Sequence, residues 1–324
     1  ITKIMTMVLA LEAVEQGKVN LDDQVSTSEY AASMGGSQVY LYPGETRTLH
    51  EMLIAIAVGS GNDASTAVGE FLAGSNEAFV DMMNAKAKEL GMKGTNFVNS
   101  HGLHDDNHYT TAEDMAKLAV YALRVPKFLE YTSIYEYDFR PEPKPLKLWN
   151  TNRLLKWYEG CDGMKTGSTS IAKRNLVSTA ERDGLRLVAV VMGVGVTNGH
   201  FTESMKLLNY GFNQYEFAPI YRAGDRITTI KIGKGEVDQI DLVAKKNVGA
   251  TKKKGEEINL TTEIQVEEFL TAPVKKGTKL GEITVIKNGR PLEKVDLIAA
   301  QDVARGSLGK QIKKMFHQVL LAKE

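Results

Sequence analysis

The sequence has one cysteine, Cys161, no excess of charge of either sign, and no apolar run approaching the ~18 to 20 residues that a membrane-spanning helix needs. A lone thiol excludes an intrachain disulfide framework, but it does not fix the redox compartment, because many exported bacterial proteins carry no disulfide. Lysine plus arginine number 40, as do aspartate plus glutamate. No global field therefore draws the protein to nucleic acid or to an acidic polymer, and any charged partner must be met locally. Ile1 opens directly into structured sequence with no charged n-region before an apolar core, so no signal peptide is read within this chain.

What is present is enough for one large core and a second module: 324 residues, 43% of them apolar. Met7 to Gln16, Leu49 to Val58, Asp63 to Leu72, Asn76 to Leu90 and Thr111 to Leu123 each carry one apolar face at helical spacing. Thr110 with Glu113 matches a capping box, and Gly91 and Pro126 stand where helices stop. Asn175 to Glu181 and Arg186 to Met192 are β-branched and apolar around Asp183-Gly184, which predicts a buried antiparallel hairpin.

Beyond residue 217 the pattern changes to short alternating stretches, Ile227 to Ile232, Gln239 to Ala244, Ile258 to Gln265 and Glu282 to Ile286, with Asn288-Gly289 as a hairpin turn. The Lys252-Lys253-Lys254 run has no interleaved aromatics and reads as a solvated loop. Three segments follow: an α+β domain over 1–217 with helices flanking an antiparallel sheet, a small all-β domain over 218–304, and a tail over 305–324. In that tail Leu308, Ile312, Met315, Phe316, Val319 and Leu320 recur at helical intervals, with Lys310, Lys313 and Lys314 elsewhere around the turn. The pattern suits an amphipathic helix lying on a membrane surface, and it also fits packing on the β-domain or a partner.

The chain opens Ile1-Thr2-Lys3 into a helix and later carries Ser60-Gly61-Asn62 and Lys165-Thr166-Gly167. Each triplet alone is weak. In this order they match the set Ser-x-x-Lys, Ser-x-Asn and Lys-Thr-Gly of penicillin-binding proteins and class A β-lactamases, with the nucleophilic serine expected immediately before Ile1. The chemistry accounts for these residue types. A serine hydroxyl needs a base, and three-residue spacing on a helix brings an amine within its reach. Lys3 is the expected base, kept neutral by burial and by a neighbouring cation such as Lys165. Ser60 is expected to relay a proton to the leaving amine, and Asn62 to orient the substrate's peptide group. Lys165 and Thr166 would hold a terminal carboxylate, Gly167 would let a substrate backbone approach the strand edge, and the Ser168 main chain would donate to an oxyanion.

The constellation resembles the low-molecular-mass penicillin-binding proteins, specifically D-alanyl-D-alanine carboxypeptidases with a β-rich C-terminal domain, and among them a sporulation-associated branch. The likeness extends over nearly the whole chain. It includes Ser28-Glu29-Tyr30-Ala31 with Gly35-Gly36-Ser37, Ser60 to Ala64, Asp162 to Gly167, and Glu203-Ser204 through Leu207 to Phe212. The resemblance implies a transpeptidase-like domain, with the serine and further sheet strands in a segment ahead of Ile1. It also implies removal of the terminal D-alanine from peptidoglycan pentapeptide stems, acylation by β-lactam antibiotics, no cofactor and no metal. Export by a signal peptide outside this chain and peripheral attachment to the outer face of the cytoplasmic membrane follow from the same likeness.

One departure concerns His200, at a position where related carboxypeptidases commonly carry an arginine thought to hold the substrate carboxylate. Histidine offers no permanently charged fork, so carboxylate binding should weaken as it deprotonates, or rest on Lys165 and Thr166 alone. His101, His104 and His108 with Asp105 and Asp106 have ligand chemistry but loop composition and no helical metal frame. Cys161 reads as a small buried residue at a strand start. Two other functions fit less well. A β-lactamase would need a deacylation base, and no glutamate-rich loop stands between Ser60 and Lys165. A non-catalytic cell-wall peptide-binding protein would keep the groove without the nucleophile.

Overall fold

The computed structural model describes residues 1–141, 144–267, 269–307 and 309. The apolar positions of the expected tail helix, Leu308 to Leu320, lie outside the described residues. Backbone contacts divide the chain into a unit of residues 1–182 and 186–212 and a unit of residues 183–185 and 213–324.

The first unit is built around the helix Lys3–Glu15, whose residues from Lys3 to Glu12 are all buried. Ile4, Met5, Met7, Val8, Leu9 and Leu11 leave it no polar face, which is the pattern of a central helix. Each such side chain contributes about 1.5–3 kcal/mol when withdrawn from water. The helices Leu49–Ala57, Asn62–Ala73, Asn76–Glu89 and Ala112–Ala122 pack against it, close to their expected bounds. The central helix starts at Lys3 rather than Met7, because Ile4 and Met5 extend its apolar run, and Lys3 thereby occupies its first turn. The cap of Ala112–Ala122 also differs from expectation. Thr111 accepts from the Asp114 N–H at 3.1 Å, whereas the Thr110 hydroxyl is taken by Thr95 at 2.8 Å. A complete capping box forms instead between Thr48 and Glu51.

The strands Cys161–Thr169, Lys173–Arg182 and Leu185–Val194 form one sheet in that order. The turn residues Asp183 and Gly184 both have positive φ, 50° and 80°, as an Asp-Gly hairpin requires. In the antiparallel ladder of the first two strands, Lys165 faces Val177, Thr166 faces Leu176, and Ser168 faces Arg174. Paired residues share a face and successive ones alternate, so Lys165 and Val177 lie on one side and Thr166, Ser168, Arg174 and Leu176 on the other. The packing agrees: Val177 belongs to the core around the central helix, and Leu176 to a separate cluster with Leu154, Phe201 and Leu208.

The second unit is almost entirely β. Its six-stranded sheet runs Leu260–Val266, Lys279–Lys287, Arg290–Ala299, Gln239–Ala244, Arg226–Gly233 and Phe269–Thr271. Alternate residues Ile230, Ile232, Ile240, Leu242, Ile283, Val285, Val295 and Leu297 fill its core. Asn288 and Gly289, at φ 51° and 76°, make the predicted tight turn. Val248–Lys253, which the alternation does not reveal because Gly249 and Ala250 are small, pairs antiparallel with Tyr215–Tyr221. Lys252 and Lys253 therefore lie in a strand rather than a solvated loop, and Lys252 is 3.1 Å from Glu216. The mixed helical and sheet domain followed by a β-rich domain is the α+β arrangement expected.

Candidate active site

Lys3 is 5% exposed, and its Nζ donates to the Asn62 Oδ1 at 2.5 Å and to the His101 carbonyl at 2.7 Å. The His101 carbonyl is held in place by a turn in which Asn99 accepts from the Gly102 N–H and donates to the Leu103 carbonyl. Burial, and after it the positive charge of Lys165, holds the Lys3 ammonium well below the ordinary lysine value, with Asp63 opposing. Lys165 is 1% exposed, and burial pushes its pKa down to about 8.

The Ser60-Gly61-Asn62 turn precedes the helix Asn62–Ala73, and Ser60 has a φ of 57°. A left-handed serine costs about 1–3 kcal/mol and persists only where its surroundings enforce it. Here they do. Asn62 receives Lys3 on its oxygen and donates its Nδ2 to the Gly35 carbonyl at 2.7 Å, while its own N–H is bound by the Ser37 carbonyl. Buried Asp63 accepts the N–H groups of Val39, Leu41 and Ala64 at 3.0, 3.1 and 2.9 Å. The turn and the 35–41 loop are thus one hydrogen-bonded block. The Asn62 amide thus clamps Lys3 with one bond at each end, and a second lone pair on its oxygen and a second N–H remain beyond these contacts.

In front of this block lies a groove of about 620 Å³ lined by Ser37, Ser60, Thr166, Gly167, Ser168 and His200 among others. A smaller cavity of about 230 Å³, lined by Thr2, His104, His108 and Met192, shares Gly167 and Ser168 with it. The groove gathers five of the predicted residues, Ser60, Thr166, Gly167, Ser168 and His200, with Lys3, Asn62 and Lys165 buried outside its lining. A Cβ on Gly167 would come within 2.5 Å of the Ile1 nitrogen, so the glycine is required by the start of the central helix. His200 is 8% exposed, its Nδ1 has no partner, and burial, then the charges of Arg174 and Arg153, lowers its pKa.

Sequence reasoning missed the wall formed by Trp149, Asn150, Thr151 and Arg153. Thr151 Oγ1 meets Thr166 Oγ1 at 2.5 Å, and the Asn152 amide fixes this wall to the Gly163 carbonyl at 2.9 Å. The paired asparagines of Asn150-Thr151-Asn152 are the signal: both are buried and both bind backbone, which holds Thr151 out toward the groove. The loop histidines make polar contacts within the protein. His108 pairs with Thr2 Oγ1 at 2.8 Å and His104 with Asp106 at 3.3 Å, and no metal-ligand cluster occurs among the described residues. Burial pushes the Cys161 thiol up to about 11, which suits an inert residue.

The family model for D-alanyl-D-alanine carboxypeptidase matches residues 1–195. The chain belongs to that family. A second model, the C-terminal domain of penicillin-binding protein 5, matches residues 215–305. The D-alanyl-D-alanine carboxypeptidase DacF of Bacillus subtilis is 43% identical over 94% of this chain and 79% of its own length. The structure of penicillin-binding protein 5 from Haemophilus influenzae superposes with a TM-score of 0.67 at 32% identity, covering 94% of this chain and 89% of that one. Penicillin-binding protein D2 of Listeria monocytogenes in its ampicillin-bound form gives a TM-score of 0.58 at 32% identity over 65% of this chain and 85% of that one. The carboxypeptidase class, the cell-wall role and the penicillin-binding family that the motifs imply are those of the chain.

Proposed function

We propose that this carboxypeptidase removes the terminal D-alanine of peptidoglycan pentapeptide stems through an acyl-enzyme on a serine joined to the Ile1 nitrogen. The observation that carries the reading is the setting of Lys3. A neutral amine has two N–H donors and one lone pair. Asn62 Oδ1 and the His101 carbonyl take both donors, which leaves the lone pair for a proton. The Ile1 nitrogen lies against Gly167, so a serine attached to it stands at the groove, three residues before Lys3.

In this mechanism the serine oxygen attacks the carbonyl carbon of the penultimate D-alanine as Lys3 takes its proton. The peptide C–N bond breaks, and the departing amine receives a proton through Ser60. Water then adds to the ester carbonyl and frees the serine. Backbone N–H groups at the serine and Ser168 stabilise the oxyanion in both steps. No cofactor enters. A β-lactam follows the first half, and the ampicillin-bound Listeria relative supports that ligand class. We place the protein outside the cytoplasmic membrane, held at its surface by the 305–324 segment. The pattern of that segment and the substrate support this placement, and loss of liposome binding at unchanged melting temperature after truncation at Arg305 tests it.

The decisive experiment is the intact mass of the natural full-length protein before and after benzylpenicillin, followed by peptide mapping. One adduct on the serine preceding Ile1-Thr2-Lys3 is expected, with D-alanine release from a pentapeptide. Peptide binding with neither adduct nor release would overturn the mechanism and make the groove a binding site.

A further inference from the structure

Among the described residues that line the groove there is no aspartate or glutamate, yet two guanidinium groups line it, those of Arg174 and Arg153. Neither is ion-paired with a carboxylate among the described residues. Arg174 stands directly opposite Ser168 in the ladder, on the sheet face that carries Thr166 and Ser168. Its guanidinium is fixed from behind: one Nη donates to the Gly195 carbonyl at 2.9 Å and the other to Thr197 Oγ1 at 3.2 Å. Arg153 follows the wall that carries Thr151, and its guanidinium lies over the Trp157 ring at 5.4 Å. Two arginines facing a groove without a counter-charge form an anion site, and the planar fork of arginine matches a carboxylate.

The alternatives expected from sequence do not fill this role. Lys165 lies on the opposite face of its strand, buried, and its Nζ donates to the Thr166 carbonyl at 3.4 Å. His200 is packed on Phe201 with ring centroids 4.0 Å apart, and burial beside two guanidinium groups favours its neutral form.

We propose that Arg174, with Arg153 as a second positive charge, holds the terminal carboxylate of the substrate, in company with the Thr166 hydroxyl and in place of His200. This assignment rests on the carboxypeptidase reading above and names the residue that makes the enzyme select a free C-terminus.

The test uses the natural full-length protein and two pentapeptides, one ending in a free D-alanine carboxylate and one in its carboxamide. Arg174→Met is expected to raise KM for the acid about 10- to 100-fold, the range of a hydrogen bond to a charged group, with little change in kcat. KM for the amide is expected to stay at its wild-type value. Arg153→Met should shift the acid in the same direction by less, and Arg174→Lys, which keeps the charge without the fork, should fall between wild type and methionine. The wild-type KM for the acid should be level from pH 5.5 to 7, below the Lys165 titration at about 8, because arginine does not titrate there. Should Arg174→Met fail to fold, Arg174→Lys and Arg153→Met carry the comparison. The inference is overturned if the variants leave KM for the acid unchanged, if they raise KM for acid and amide alike, or if the wild-type KM climbs as histidine deprotonates. Absence of D-alanine release by the wild type removes the function and this inference together, whereas normal wild-type release with unaffected variants removes the inference alone.

Discussion

The two units place their charges differently. In the first, Lys3, Asp63, Asp114, Lys165, His101 and His200 are all buried, and neither Lys3 nor Lys165 has a carboxylate in direct contact. In the second, Thr284 is the only polar side chain buried among the described residues, and the ion pairs Lys279–Asp296, Lys245–Asp296 and Lys294–Glu282 lie at the surface of the sheet. The β-rich unit follows the ordinary rule of apolar inside and charged outside. The helical unit departs from it in two ways: Asp114 and Glu12 are buried against Lys117 and Lys86, whereas Lys3 and Lys165, beside the groove, are buried without a carboxylate partner. An unpaired buried ammonium is costly enough that the group gives up its proton, and a neutral lysine is what nucleophile activation needs. What separates the two units is therefore the buried charge that lacks a counter-ion, and it is found among the described residues of the first unit at Lys3 and Lys165.

Replacing the base tests this most severely. Lys3→Met should slow acylation of the full-length protein by benzylpenicillin about 10²- to 10⁴-fold, the range for general-base catalysis, while its melting temperature falls only modestly, since relief of the buried amine offsets part of the cost of leaving Asn62 Oδ1 and the His101 carbonyl without a donor. A stopped acylation assay beside a thermal melt reads both, and a strongly destabilised variant would make Lys3 a structural residue. Next in size is the pH dependence of stability. Lys165 titrates at about 8 in the folded protein against 10.5 for the free side chain. Over that interval the unfolded state binds more protons, so stability rises with pH, by up to about 1.4 kcal/mol per unit, and levels off above 10.5. Urea unfolding from pH 7.5 to 10.5 should show this rise in the wild type and a flatter curve in Lys165→Met. Equal slopes would mean that Lys165 is not proton-depleted in the fold.

Asp63→Asn probes the block that holds the groove's rim. The amide keeps some acceptor capacity but loses charge toward the N–H groups of Val39, Leu41 and Ala64, at an expected cost of about 1.5–3 kcal/mol in urea unfolding. Acylation should slow as well, because Asn62 and the 35–41 loop move with it. A variant that loses stability but acylates normally would uncouple the rim from the base.

How much of this was legible in the sequence depended on how local each signal is. The helices and the two tight turns were readable because apolar spacing and residue pairs such as Asp183-Gly184 and Asn288-Gly289 act within a few residues. The cap at Thr111 was not, since Thr110-x-x-Glu113 and Thr111-x-x-Asp114 fit the pattern equally and a distant hydroxyl, Thr95, decides between them. The three triplets pointed to the region of the groove, yet Arg174 carried no motif. Counting back across the 169–173 turn places it opposite Ser168, but only once the hairpin register is known. The clamp on Lys3 depends on residues separated by 59 and 98 positions, which no local pattern reports.

The smallest expected effect comes from the second unit. Lys294 pairs with Glu282 on the outside of the sheet, where water screens the attraction and two long side chains lose freedom in making it. Lys294→Ala should therefore leave the urea midpoint of that unit where it was, at low and at high salt alike. Val295→Ala, one residue away on the inner face and 1% exposed, should instead lower it clearly, because it removes methyl groups from the packed core. If Lys294→Ala proved the more damaging of the two, the β-rich unit would depend on charge as the helical unit does, and buried or paired charge would no longer mark the catalytic region.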